Sequence, residues 1–130
     1  MAIKTKSVFS PIDREKDGLR ILATRYRGRG MRKSRYDVWM ASLGPSERLL
    51  KQRQDGKISA ARFHTLYRRE IHGKDESDSK NPGMKNRGQK FTLRLLRKLS
   101  RRRDITIMCH CDEDWWDCHR FVLQDLIRRA

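Results

Sequence analysis

The chain has 130 residues, 32 of them Lys or Arg against 16 Asp or Glu, for a formal charge of +16 at neutral pH. Hydrophobic residues make up 36% and charged residues 37%, so a small core must carry a surface crowded with cations. This length fits one domain, no apolar run approaches the roughly 20 residues of a membrane helix, and the three cysteines are too few and too clustered for a disulfide scaffold. Residues 1–10 lack the apolar stretch of a signal peptide, so a cytoplasmic protein with no membrane partner is expected. The excess of cation points to a polyanionic partner, above all nucleic acid, DNA or RNA, bound without regard to sequence.

Along the chain, residues 1–18 show no clear period and read as an arm or edge element. Leu19 to Thr24 fits a short buried strand. The following loop, 25–35, holds Arg25, Arg27, Arg29, Arg32, Lys33 and Arg35, two glycines and no acid. Tyr36 to Leu43 is a short packing segment, helical or extended. Ser46 suits the N-cap of a helix to about Gln54, and Ser59 that of a second, on which Phe63, Leu66, Tyr67 and Ile71 recur at helical spacing. A polar loop, 73–88, is expected to be flexible or to act as a lid. The helix from Gln89 to Arg103 is predicted to turn Phe91, Leu95, Leu96 and Leu99 inward. Lys90, Arg94, Arg97 and Arg101 then form a basic stripe, which serves either phosphate contact or simple solvation.

Asp104 to Cys109 is the most strand-like segment of the chain, and Asp117 is placed to cap a last helix bearing Val122, Leu123, Leu126 and Ile127. Strand-to-helix units at both ends predict a small α/β protein: a three-layer sandwich in which helices flank a short, mostly parallel sheet.

The chemistry concentrates between Cys109 and Arg120, which contain all three cysteines and two of the four histidines. In open α/β sheets, ligands bind at the carboxyl ends of strands, beside the helices that follow. Three readings stand side by side. In the first, the segment is an anion or nucleotide site with a reactive thiol. Cys118 or Cys109 is then the nucleophile, His119 an acid/base or orienting group, and Arg120 with Arg25 the anion clamp. Cys-dependent phosphatases share the strand–Cys–loop–Arg–helix layout, but eight residues separate Cys111 from Arg120 here rather than five. In the second, Cys109, Cys111, Cys118 and His119 hold zinc, although Cys-x-Cys is closer than the usual zinc spacing. In the third, the cysteines pack and His119 and Arg120 make structural hydrogen bonds. The Trp115–Trp116 pair suits base stacking or the closing of a core edge.

A strand ending in Cys109-His110-Cys111, an acidic loop, and Cys118-His119-Arg120 opening a final helix resemble the domain of unknown function 488 family. Leu22 to Gly28, Asp37-Val38-Trp39, Gly44-Pro45-Ser46, and the helix from Phe63 to Arg69 with Glu70 are similar to further parts of its pattern. The resemblance runs from Leu19 to the end, apart from residues 78–87. It implies an α/β fold with Cys118, His119, Arg120 and Arg25 close together at the strand ends, and it supplies no reaction.

Overall fold

A computed structural model describes residues 2–73, 89–115 and 117–130. Its centre is a four-stranded parallel sheet in the order β1-β4-β2-β3. The strands are β1 (Ile3–Ser7), β2 (Leu19–Leu22), β3 (Val38–Trp39) and β4 (Ile105–Cys109). The helices are α1 (Arg14–Asp17), α2 (Glu47–Gln54), α3 (Ala60–His72), α4 (Lys90–Ser100) and α5 (His119–Arg128). The polar loop predicted over 73–88 lies outside the described residues from 74 onward, as does residue 116 of the tryptophan pair.

The strand registers explain how the sequence divides into two faces. β4 lies between β1 and β2, pairing Ile3 and Leu19 with Ile105 and Lys6 and Leu22 with its other end at Met108. It is buried along its whole length, as a central parallel strand must be when both faces are covered. Ile3, Ile21, Ala23, Ile105 and Ile107 face α2 to α5 and meet Leu49, Phe63, Tyr67, Leu96, Leu123 and Ile127 in the main core. Leu22 and Met108 face the other way and pack with Val8, Met31 and Tyr36. That second face is roofed by the 23–37 loop and by α1, whose Asp17 carbonyl accepts from Thr106 Oγ1 at 2.7 Å. Asp17 also accepts from Lys6 Nζ at 3.0 Å, which pairs a lysine on an otherwise polar edge strand.

The turn from α1 into β2 needs glycine. Gly18 has φ 61°, and a Cβ there would stand 2.1 Å from the Asp104 carbonyl oxygen. Both predicted serine caps are in place, with Ser46 accepting from Leu49 N–H and Ser59 from Arg62 N–H. Residues 1–18, without period in the sequence, supply edge strand β1 and helix α1.

Two expectations are corrected. On α4 the inward residues are Leu93, Leu96 and Ser100, with Leu99 partly buried, while Phe91 and Leu95 are 61% and 54% exposed. Phe91 instead lies under the Arg94 guanidinium, 5.5 Å from its ring centre. Five apolar residues allow two rival stripes on this helix, and the one that reaches β4 and α5 is buried. Asp117 does not cap α5; the N-cap position belongs to Cys118, with no side-chain cap. Asp117 is held away by Arg53 at 2.6 Å, and its carbonyl meets His64 Nε2 at 2.9 Å. No described helix is long and apolar enough to cross a membrane.

Candidate functional site

β4 delivers Cys109 to the carboxyl edge of the sheet, and the 110–118 loop returns Cys118 to the start of α5. The two buried sulfurs come within 2.9 Å of one another. Cys111, only partly buried, completes a group in which all three Sγ atoms lie within 4.8 Å of each other. Under this group sits Arg120, 1% exposed. Its Nη1 donates to Cys109 Sγ at 3.0 Å and to the Cys111 carbonyl at 3.3 Å. Its Nη2 donates to the carbonyls of Asp112 at 3.1 Å and Glu113 at 2.7 Å. The guanidinium thus holds the loop from beneath and places a fixed positive charge against the thiols.

That arrangement favours one thiolate within the group. Hydrogen bonds from Cys109 and Cys118, helped by the charge of Arg120, hold the Cys111 thiol well below its ordinary range. Donating to Cys111 pushes Cys109 up to about 11, and the contact with both neighbouring sulfurs, with burial, pushes Cys118 far up. Arg120, by contrast, bonds the sulfur of Cys109 rather than that of Cys111, so the negative charge belongs to the three sulfurs jointly, with Cys111 its partly exposed end.

His119 is buried, and burial lowers its pKa, so the imidazole is neutral. Nε2 lies 2.5 Å from the Ala23 carbonyl, an acceptor, which places the proton on Nε2. Nδ1 therefore presents a lone pair, 3.8 Å from Cys118 Sγ. The His119 ring stands edge-on to Tyr67 at 5.4 Å, and the Tyr67 hydroxyl donates to the Leu43 carbonyl at 2.5 Å. Glu70, one turn further along α3, accepts from Ser46 N–H at 2.9 Å and from its hydroxyl. Arg25 donates to the carbonyls of Gly44 at 2.9 Å and Pro45 at 3.1 Å. Arg25, the 44–46 turn, Tyr67, Glu70 and His119 therefore form one connected frame behind the cysteines. The Arg25 guanidinium faces main-chain carbonyls, and that of Arg120 faces carbonyls and the Cys109 sulfur.

On the acidic loop, burial raises the Glu113 carboxyl. Hydrogen bonds from Ser10 Oγ at 2.6 Å and Ser7 N–H at 2.7 Å, with the charges of Arg120 and Lys6, outweigh that and hold it below its usual range. Glu113 so ties the loop after β4 to the end of β1.

The three cysteines could hold a metal ion through soft sulfur donors. His119 is not part of that close group. Zinc at about 2.3 Å from each sulfur would set them nearly 4 Å apart, so ligation requires Cys109 and Cys118 to separate from their 2.9 Å contact.

The predicted phosphate-binding residues divide between two faces. The loop with Arg27, Arg29, Arg32, Lys33 and Arg35 covers the Leu22–Met108 face. Lys90, Arg94 and Arg97 belong to the helix packed on the Ile105–Ile107 face, with Arg101 just past its end, and Arg97 donates to the Ala130 carbonyl. They are two patches, not one continuous surface. Gly28, with φ 95°, carries the loop over His110; a Cβ there would stand 2.9 Å from His110 Cε1. His110 Nε2 meets the Tyr26 carbonyl at 3.0 Å. Sequence reasoning passed over His110, Phe9, Tyr67 and Glu70 as site residues. For the last two the signal was present, in the resemblance of the α3 motif.

Fold and site together define a small parallel α/β protein with a thiol cluster at its strand ends. Over residues 3–130 the chain matches the family model described as the active DUF488-N3 subclade, and it belongs to the DUF488 family. No curated protein and no solved structure matches it.

Proposed function

We propose that the protein is a Cys-dependent enzyme acting on an anionic, phosphorylated or nucleotide-like substrate, with Cys111 as its nucleophile. One observation carries this reading: three sulfurs gather within 4.8 Å over a buried arginine, and Cys111 alone among them is partly exposed. The role first considered for Cys118 or Cys109 passes to Cys111 because those two are 2% and 1% exposed and out of a substrate's reach. They act instead as hydrogen-bond donors to the Cys111 thiolate. His119 packs against the Cys118 sulfur, and Arg120 supplies the opposing charge. The description of the family as an active subclade is in keeping with chemistry at this site. The polyanionic partner expected from the charge has its support in the same region, where Arg29, Arg32 and Lys33 of the basic loop are exposed.

The test is alkylation of the native chain followed by mass mapping. Cys111 should label first and fully at neutral pH, where ordinary thiols near pKa 8.5 label slowly. Cys111→Ser should abolish that fast phase without loss of folding. Equal, slow labelling of all three cysteines in metal-free protein would overturn the reading. A second reading, a thiolate-bound metal such as zinc, is favoured by the same sulfur spacing. It predicts stoichiometric metal in the purified chain and fast labelling only after a chelator.

A further inference from the structure

Beside the thiol cluster, on the opposite face of the sheet, lies a cavity of about 620 Å³. It is lined by residues after β1, by the basic loop and by His110, and among the described residues no acidic side chain lines it. We infer that this cavity is a binding site for a nucleoside phosphate unit, with the base against Phe9 and His110 and the phosphate on Arg29 and Arg32.

Its volume is that of a small-molecule site. One wall is aromatic: Phe9 is 60% exposed, an unusual place for a phenyl ring, and its centre lies 6.1 Å from that of His110. An exposed ring beside a second ring is a surface on which a planar base stacks. His110 is fixed there by the Tyr26 carbonyl and by the close passage of Gly28, so this wall is built before any ligand arrives. The other wall is cationic. Arg35 is anchored to the Ser10 carbonyl at 3.3 Å and braces the loop, whereas the guanidiniums of Arg29 and Arg32 have no hydrogen-bond or ion-pair partner among the described residues. Two unengaged guanidiniums facing a cavity that no described acid lines suit the doubly acceptor-rich oxygens of a phosphate. An acidic peptide would satisfy the arginines but leave the ring wall unused, and inorganic phosphate would do the same. The ligand that uses both walls is a base carried on a phosphate.

That unit comes either as a free nucleotide or as one residue of a single strand. The site stands apart from the thiol chemistry, since His110 lies between Cys109 and Cys111 in the chain while its ring belongs to the other face. The experiment is calorimetric titration of the full chain at low salt with AMP, a short oligothymidylate and inorganic phosphate. AMP or the oligonucleotide should bind clearly more tightly than phosphate; tight AMP identifies a free nucleotide, and oligonucleotide alone identifies a strand. Phe9→Ala should weaken that binding about tenfold, the usual loss of one base–aromatic stack. Arg32→Gln should weaken it and flatten its salt dependence. Arg101→Gln, in the cation-rich segment after α4, should leave it unchanged. Phosphate binding as tightly as AMP, an unaffected Phe9→Ala variant, or equal loss in Arg101→Gln would each overturn the assignment.

Discussion

At the scale of single residues, Arg120 carries more of the site than its position in a Cys-His-Arg motif suggests. A charge that is 1% exposed needs partners, and four bonds from its two terminal nitrogens go to one sulfur and three successive loop carbonyls, while Nε is buried without a hydrogen-bond partner among the described residues. Its guanidinium also lies 4.8 Å from the Phe121 ring centre, so the planar fork is stacked as well as bonded. Arg120→Met fills the same channel with an apolar chain but leaves the carbonyls of 111–113 without their donor. Each buried acceptor left unpaired costs about 1–3 kcal/mol. Because water can reach part of this loop, a total loss of about 2–4 kcal/mol is expected in urea unfolding. The same change removes the positive charge that favours the thiolate, so the pH at which Cys111 begins to alkylate should move upward. Unchanged labelling at reduced stability would assign Arg120 to the loop alone. His119 shows a related economy of means: one ring nitrogen is committed to the Ala23 carbonyl, and that commitment decides what the other can offer Cys118.

At the scale of elements, α4 offers the sharpest test of how the core was chosen. Leu96 is 1% exposed and Leu95 is 54% exposed, although they are neighbours of identical chemistry. Leu96→Ala opens a cavity against the central sheet and should cost about 2–5 kcal/mol, whereas Leu95→Ala should change stability by less than about 0.5 kcal/mol. Equal losses in thermal unfolding would restore the stripe that the sequence suggested. The comparison also shows what was legible beforehand. β2, β4, α2, α3 and α5 were readable because apolar period, serine caps and β-branched runs agree locally. β1 was not, since Ile-Lys-Thr-Lys-Ser is a strand only by virtue of its pairing with β4. The face of α4 was not, since choosing between two apolar stripes needs the position of the sheet. For the site, the cysteine cluster and its place at the strand ends were legible, and the three sulfurs do meet. The division of labour among them was not, because exposure separates Cys111 from Cys109 and Cys118 and no spacing encodes it. The groove between Phe9 and Arg32 was equally hidden, being assembled from segments on either side of β2 and from the residue after β4.

At the scale of the whole molecule, the charge of +16 acts on stability before it acts on any partner. Several described acids already have their cations: Asp17 with Lys6, Asp37 with Arg20, Asp104 with Lys4, Asp117 with Arg53, and Asp125 with Arg68 and Arg129. What remains is an excess of lysine and arginine distributed over both faces of the sheet, and its self-repulsion opposes the compact state. Salt therefore has two opposed effects. It weakens the surface ion pairs, each worth about 0–1 kcal/mol at most, and it screens the repulsion among the excess cations. Raising ionic strength from about 0.01 M to about 0.15 M shortens the screening length from about 30 Å to about 8 Å. The repulsion, which is summed over the width of the molecule, is cut at those distances, while pairs in contact lose much less. The balance favours the folded chain, and its melting temperature should rise by about 5 °C across this range, as expected for roughly 1 kcal/mol in a domain of this size. Phosphate at equal ionic strength should raise it further than chloride, because ions that engage the free guanidiniums of Arg29 and Arg32 add binding energy to screening. In the Arg32→Gln variant that additional rise should shrink while the chloride response persists. A melting temperature that falls steadily with added chloride would mean that the ion pairs, not the excess charge, govern the electrostatics of this fold.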